Sequence, residues 1–229
     1  MDVYRTEEEQ IEVIKKFIGD HGSKVLAVLI LAIAGFFGFQ HWQQSQQAGV
    51  AAASGLYNQI SMAAAAGAQM SDADKAEFDK AFTQLASEYP QSVYTSYATL
   101  HKAKLEVERS ELDKAAQSLQ WVVDANVSAD LVALANLRLA RVEFARGNNA
   151  AALQLLAKDA GPFAYAYQVS KGDVLVAEGK NAEALVAYKK ARELKPAEGQ
   201  FSDQILEMKI SNLNAGDSSK LFPVAAETK

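Results

Sequence analysis

In KGDVLVAEGKNAEALVAYKKARELKP, residues 171–196, small and large apolar residues fall at helical spacing on either side of one glycine. Gly179 stands where a first helix must end, at a position that favours positive φ. Gly172 and Ala184 are small, as two closely crossing antiparallel helices require. Tyr188 and Ala191 make a large–small face toward the next element, and Pro196 stops the second helix. The stretch predicts a tight helix hairpin, whose pattern begins at Tyr165.

The same order recurs upstream. Ala140, Gly147, Ala152 and Leu156 occupy the corresponding offsets in LRLARVEFARGNNAAALQLL, residues 137–156. Ala103, Ser110, Ala115, Leu119 and Val122 occupy them in HKAKLEVERSELDKAAQSLQWVV, residues 101–123. The leading small residues lie 37 and 32 positions apart, around the 34-residue period of a tetratricopeptide repeat. A half-copy, FDKAFTQLASEYP at residues 78–90, supplies Phe78, Phe82, Leu85 and Pro90. The fold expected is an all-α solenoid of about three degenerate hairpins. FSDQILEMKISNL, residues 201–213, is expected to cap it, with Phe201, Ile205, Met208 and Leu213 as the apolar stripe and Lys209 opposite.

Composition agrees with a helical chain. Hydrophobic residues make up 49% and charged residues 22%, with only 4 prolines among 229 residues. A net charge of −5 argues against nucleic acid, which requires clustered Lys and Arg. The absence of cysteine excludes disulfides, thiol catalysis and Cys-based zinc sites.

A different segment stands at the N-terminal end. Val25 to Phe39 reads VLAVLILAIAGFFGF, without a charge or a strong hydrogen-bonding side chain. Its length, roughly 22 Å at 1.5 Å per residue, falls short of a ~30 Å hydrocarbon core. Lys24 snorkelling at one end and Trp42 at the other close the gap. A buried core helix would carry a polar face, and this run has none. A cleaved signal peptide would have a short basic leader, whereas the preceding segment holds six acids, Asp2, Glu7, Glu8, Glu9, Glu12 and Asp20. No small-x-small site follows closely, so an uncleaved anchor is the preferred reading. Arg5, Lys15, Lys16 and Lys24 precede the run, and the first basic residue after it is Lys75. That bias places the N-terminus in the cytoplasm and the main domain, in a bacterium, in the periplasm.

The divisions expected are 1–24, a cytoplasmic amphipathic segment; 25–42, the transmembrane helix; 43–70, a charge-free connecting helix; 71–214, the repeat domain; and 215–229, a flexible tail. In the first, Thr6 with Glu9 reads as a capping box, Ile11, Ile14 and Ile18 share a face beside Phe17, and Gly19 and Gly22 mark the end.

No catalytic constellation stands out. His21, His41 and His101 lack metal-ligand spacing, and phosphate loops and nucleophile elbows are missing. The chain reads as a non-enzyme with no cofactor and no metal. In a solenoid the first helices line the concave face, which here carries Tyr97, Leu100, Lys104, Glu108, Leu137, Arg141, Phe144, Val169, Asp173 and Val176 as candidate partner contacts. For Leu137 and Val169 a core position is an equal alternative.

YRTEEEQIEVIKKF, the anchor ending FGFQHW, the degenerate repeats and LEMKISNL together resemble the YfgM-like ancillary SecYEG translocon subunits of Gram-negative bacteria. The resemblance implies an inner-membrane protein associated with the SecYEG translocon and the membrane-anchored chaperone PpiD, assisting exported proteins as they emerge. The alternative is an envelope scaffold holding a cell-wall or outer-membrane assembly machine.

Overall fold

Regular structure is helical throughout the described residues, which in the computed structural model are 7–65, 67–195 and 203–215. The chain divides into two compact units, Met1–Ala52 and Ala53–Lys229. Thr6, Pro196, Phe201 and tail residues 216–229, on which several expectations rest, lie outside the described residues.

Helix α1, Glu7–Ala64, supplies the whole of the first unit's described structure and the opening turns of the second. It runs through Gly19 and Gly22, where an end was expected. A helical glycine costs only about 1 kcal/mol against alanine, too little to break a helix leading into an apolar run. Between His21 and Ala64 a window of mean hydropathy 2.0 has none of its residues buried. Leu31 is 72% exposed and Phe36 65%, so this is no core helix of a soluble domain; it is long and apolar enough to cross a membrane.

The second unit begins with a layer rather than a full repeat. Ala53, Ile60, Ala63 and Ala64 of α1 share a core with Phe78, Ala81 and Leu85 of α2, Asp72–Glu88. Ser71 starts α2 with a capping box, its hydroxyl accepting from the Asp74 amide at 3.1 Å while Asp74 accepts from the Ser71 amide.

Three hairpins follow: α3 (Val93–Glu108) with α4 (Leu112–Ala125), α5 (Ala129–Ala145) with α6 (Asn149–Leu155), and α7 (Ala164–Ala177) with α8 (Asn181–Glu193). Each first helix ends in the same way. Ser110, Gly147 and Gly179 are left-handed, with φ of 61°, 82° and 74°. Their amides donate back to Val107, Phe144 and Val176 at 2.9 Å. The next amides, of Glu111, Asn148 and Lys180, reach Glu106, Glu143 and Leu175 at 2.8–2.9 Å. This is the Schellman closure, which satisfies carbonyls that a helix end leaves bare. Even the caps of the second helices coincide, with φ, ψ of −85°, 58°, then −86°, 59°, then −85°, 59°.

The uneven spacing now has an anatomy. Helix α5 has 17 residues against 14 in α7, which lengthens the first interval. Helix α6 has only 7 and gives way to a 3-10 turn at Gly161–Phe163, which shortens the second. The hairpins stack with α3 against α5 and α5 against α7, so the first helices make one layer.

Two tyrosines fix the third hairpin. Tyr188 is fully buried on α8, and its ring occupies the space where a Cβ on Gly172 would stand. That contact is why the helices need glycine there. The Tyr188 hydroxyl donates to Asp173 Oδ1 at 2.7 Å, and burial, followed by the Asp173 charge, pushes its pKa well up. Tyr167 of α7 ties back to the preceding hairpin, donating to the Ala133 carbonyl at 2.8 Å; burial first, then Asp159, pushes its pKa up to about 12.

The capping helix α9, Asp203–Asn214, is turned from the expected face. Leu206, Ile210 and Leu213 are buried, whereas Ile205 and Met208 are about half exposed. Lys209, expected outward, points in, pairing with Asp173 and lying 5.6 Å from the Tyr188 ring centroid. Both stripes have helical period; the ion pair to Asp173 and the fit of Leu206 and Ile210 on α8 select this one.

Two substitutions test this geometry. Gly172→Ala should destabilise the domain by about 1–3 kcal/mol, as overpacking against a locked ring does, read by thermal or denaturant unfolding. Ser110→Gly should do the opposite and raise stability by up to about 1 kcal/mol, because a left-handed non-glycine costs roughly 1–2 kcal/mol and the added chain entropy offsets only part.

Candidate partner-binding face

Numbering from the small residue of each first helix, Ala103, Ala140 or Gly172, separates two stripes. The residue three before each, Leu100, Leu137 or Val169, lies on the same side as the small residue and turns toward the second helices. Leu100 and Leu137 are accordingly buried, 4% and 3% exposed, as is Val176, and these three do not reach the surface as expected. Val169 and Phe144 are partly buried and pack on the cores beside them. The adjacent stripe faces out. On α3 it reads His101, Lys104 and Glu108, and on α5 Arg138 and Arg141; on α7 the same positions hold Ser170, which is buried, and Asp173, which is partly buried.

The α3 end of this face is aromatic. Tyr57, from the end of α1, lies 5.8 Å from Tyr94 and 6.0 Å from Tyr97, ring to ring. Its hydroxyl is 3.2 Å from His101 Nε2. Burial of His101, reinforced by the charges of Lys104 and Arg138, lowers its pKa and favours the neutral ring. Tyr97 keeps 42% of its surface open. At the α7 end Arg141 Nε donates to Ser170 Oγ at 3.0 Å, and Asp173 is taken up by Tyr188 and Lys209. Asp173 therefore holds the third hairpin together instead of displaying a charge.

Between these ends lies a cavity of about 260 Å³. Helices α3 and α5 form its walls and α4 its floor. Ala103, Val107, Leu112, Leu119, Val142 and Ala145 make the lining apolar, and Lys104, Arg138 and Arg141 add three cations and no carboxylate. Lys104 has a partner in Glu108, 3.5 Å away along the helix. Arg138 has none among the described residues. The charge acting on it is that of Arg141, which together with the larger effect of burial depresses its pKa. The recess is thus basic and half-apolar.

The structure thus brings Lys104 and Arg141 together and adds Arg138 and Val107, which were not among the candidates. Arg138 was within reach of the sequence. It occupies the same repeat position as His101 and Ser170, two before the small residue, on the outward stripe that Lys104 and Arg141 define.

With this geometry in hand, the comparisons with known proteins are specific. Residues 15–215 match the family described as a tetratricopeptide repeat-like domain. The chain is 30% identical over 219 residues to a Neisseria gonorrhoeae protein named ancillary SecYEG translocon subunit, covering 93% of this chain and all of that one. Proteins of the same name in Escherichia coli K12 and Haemophilus influenzae are 28% and 26% identical, over 93% and 90% of this chain and 100% and 97% of theirs. No solved structure matches it. Hairpins, match and full-length likeness agree: the chain belongs to the tetratricopeptide repeat-like family and, within it, to the ancillary SecYEG translocon subunits.

Proposed function

We propose that this chain is a non-catalytic, protein-binding subunit held in the bacterial inner membrane beside the Sec translocon. Its N-terminus is cytoplasmic and its repeat domain periplasmic, where it works with the chaperone PpiD on exported proteins. The observation that carries the reading is the end-to-end likeness to relatives named ancillary SecYEG translocon subunits, through the apolar helix and the repeats alike. Three features of the chain support it. The apolar part of α1 is exposed on all sides and has four basic residues before it and none until Lys75. The repeat domain stacks its first helices into one continuous face. That face combines open aromatic surface at Tyr97 with cations at Lys104, Arg138 and Arg141, the residue types that anchor protein interfaces.

Photo-crosslinking residues placed at Tyr97, Lys104 and Arg141 of the full-length protein in living cells should capture translocon subunits, PpiD or nascent exported chains. Capture of cell-wall or outer-membrane assembly proteins in their place would assign the chain to an envelope scaffold. Orientation is checked separately: protease added to spheroplasts should digest the repeat domain and spare the first residues.

A further inference from the structure

An arginine without a carboxylate partner beside a half-apolar recess defines what would suit both. Arg138 is half-buried, faces the like charge of Arg141 and has no carboxylate partner among the described residues. Retaining a cation in that position costs stability, since like charges close together repel and burial strips water from them. An incoming anion removes both penalties. Directly beside it, the recess of about 260 Å³ is larger than the roughly 150 Å³ cavity that accepts benzene, so one branched aliphatic or aromatic side chain fits. Val107, 42% exposed, stands at its mouth, with Ala145 small and open on the facing helix.

Resting on the protein-binding reading above, we infer that the recess between α3 and α5 is an anchor site for an acidic protein segment. One large apolar side chain of that segment enters beside Val107, and a neighbouring carboxylate pairs with Arg138 and Arg141. A basic segment is refused by the same three cations, Lys104, Arg138 and Arg141, and a purely polar one gains nothing from the recess. The pairing is selective because it needs both properties at adjacent residues.

The test uses full-length protein in lipid nanodiscs and three short fluorescent peptides: one alternating Glu with Leu, one Lys with Leu, one Glu with Ser. The Glu/Leu peptide should bind at least about tenfold tighter than either other, and less tightly as salt is raised. Arg138→Gln should weaken it about ten- to a hundredfold, the loss expected for a charged hydrogen bond, without lowering the unfolding temperature. Val107→Trp, which fills the mouth and leaves the charges alone, should weaken it by a similar factor. Equal binding of the acidic and basic peptides, or indifference to both substitutions, overturns the inference. So does self-association that Arg138→Gln abolishes, because the occupant is then a second copy. Translocon capture is scored on the same variants' parent: if the parent captures the translocon yet shows no peptide preference, the anchor chemistry fails and the proposed function stands; the reverse pattern overturns the latter alone.

Discussion

Everything in the repeat domain depends on a chain reversal made within two residues. A first helix must end, expose as few carbonyls as possible and start its partner antiparallel at once. Ser110, Gly147 and Gly179 achieve this by entering the left-handed region, which lets two consecutive amides fold back onto the helix they terminate. The three reversals share one backbone geometry despite second helices of 14, 7 and 13 residues. The first helices stack on one another, and stacking decides which stripe of each is buried and which is shown.

Much of this was legible in the sequence, and the reasons are local. Gly172, Gly179 and Tyr188 are dictated by short-range sterics, so their types announce their roles. That α1 is long and apolar enough to cross a membrane likewise needs only composition. What was not legible depends on choices between two equally periodic alternatives. On α9 the stripe through Ile205 and Met208 and the stripe through Leu206 and Ile210 are both helical, and an ion pair to a distant aspartate selects the second. On the first helices, Leu100 and Leu137 differ from Lys104 and Arg141 by one step around the helix. The inward direction of the small residue fixes which is which, a deduction open to the sequence once the repeat register is known. Gly19 and Gly22 show the opposite error, where a residue that often ends helices is overruled by its neighbours.

The candidate face owes its polarity to an unequal use of one repeat position. The residue after the small one is Lys104, Arg141 and Asp173 in the three hairpins. The third is consumed by Tyr188 and Lys209, so its negative charge is neutralised inside the domain. The first two remain on the surface, joined by Arg138. A face formally of mixed charge therefore presents itself as basic near α3 and α5, within a chain whose net charge is −5.

The tie between Lys209 and Asp173 crosses 36 positions of sequence. A ribosome releases Asp173 well before Lys209. Until α9 emerges, the carboxylate has the Tyr188 hydroxyl and the charge of Arg141 but not Lys209, and Leu175 and Ala187 lack the Leu206 and Ile210 that join their core. The core of the third hairpin is thus completed only once α9 has been made. Chain made only as far as α8 holds an unfinished end, open to other chains, and the twelve-residue α9 is what seals it.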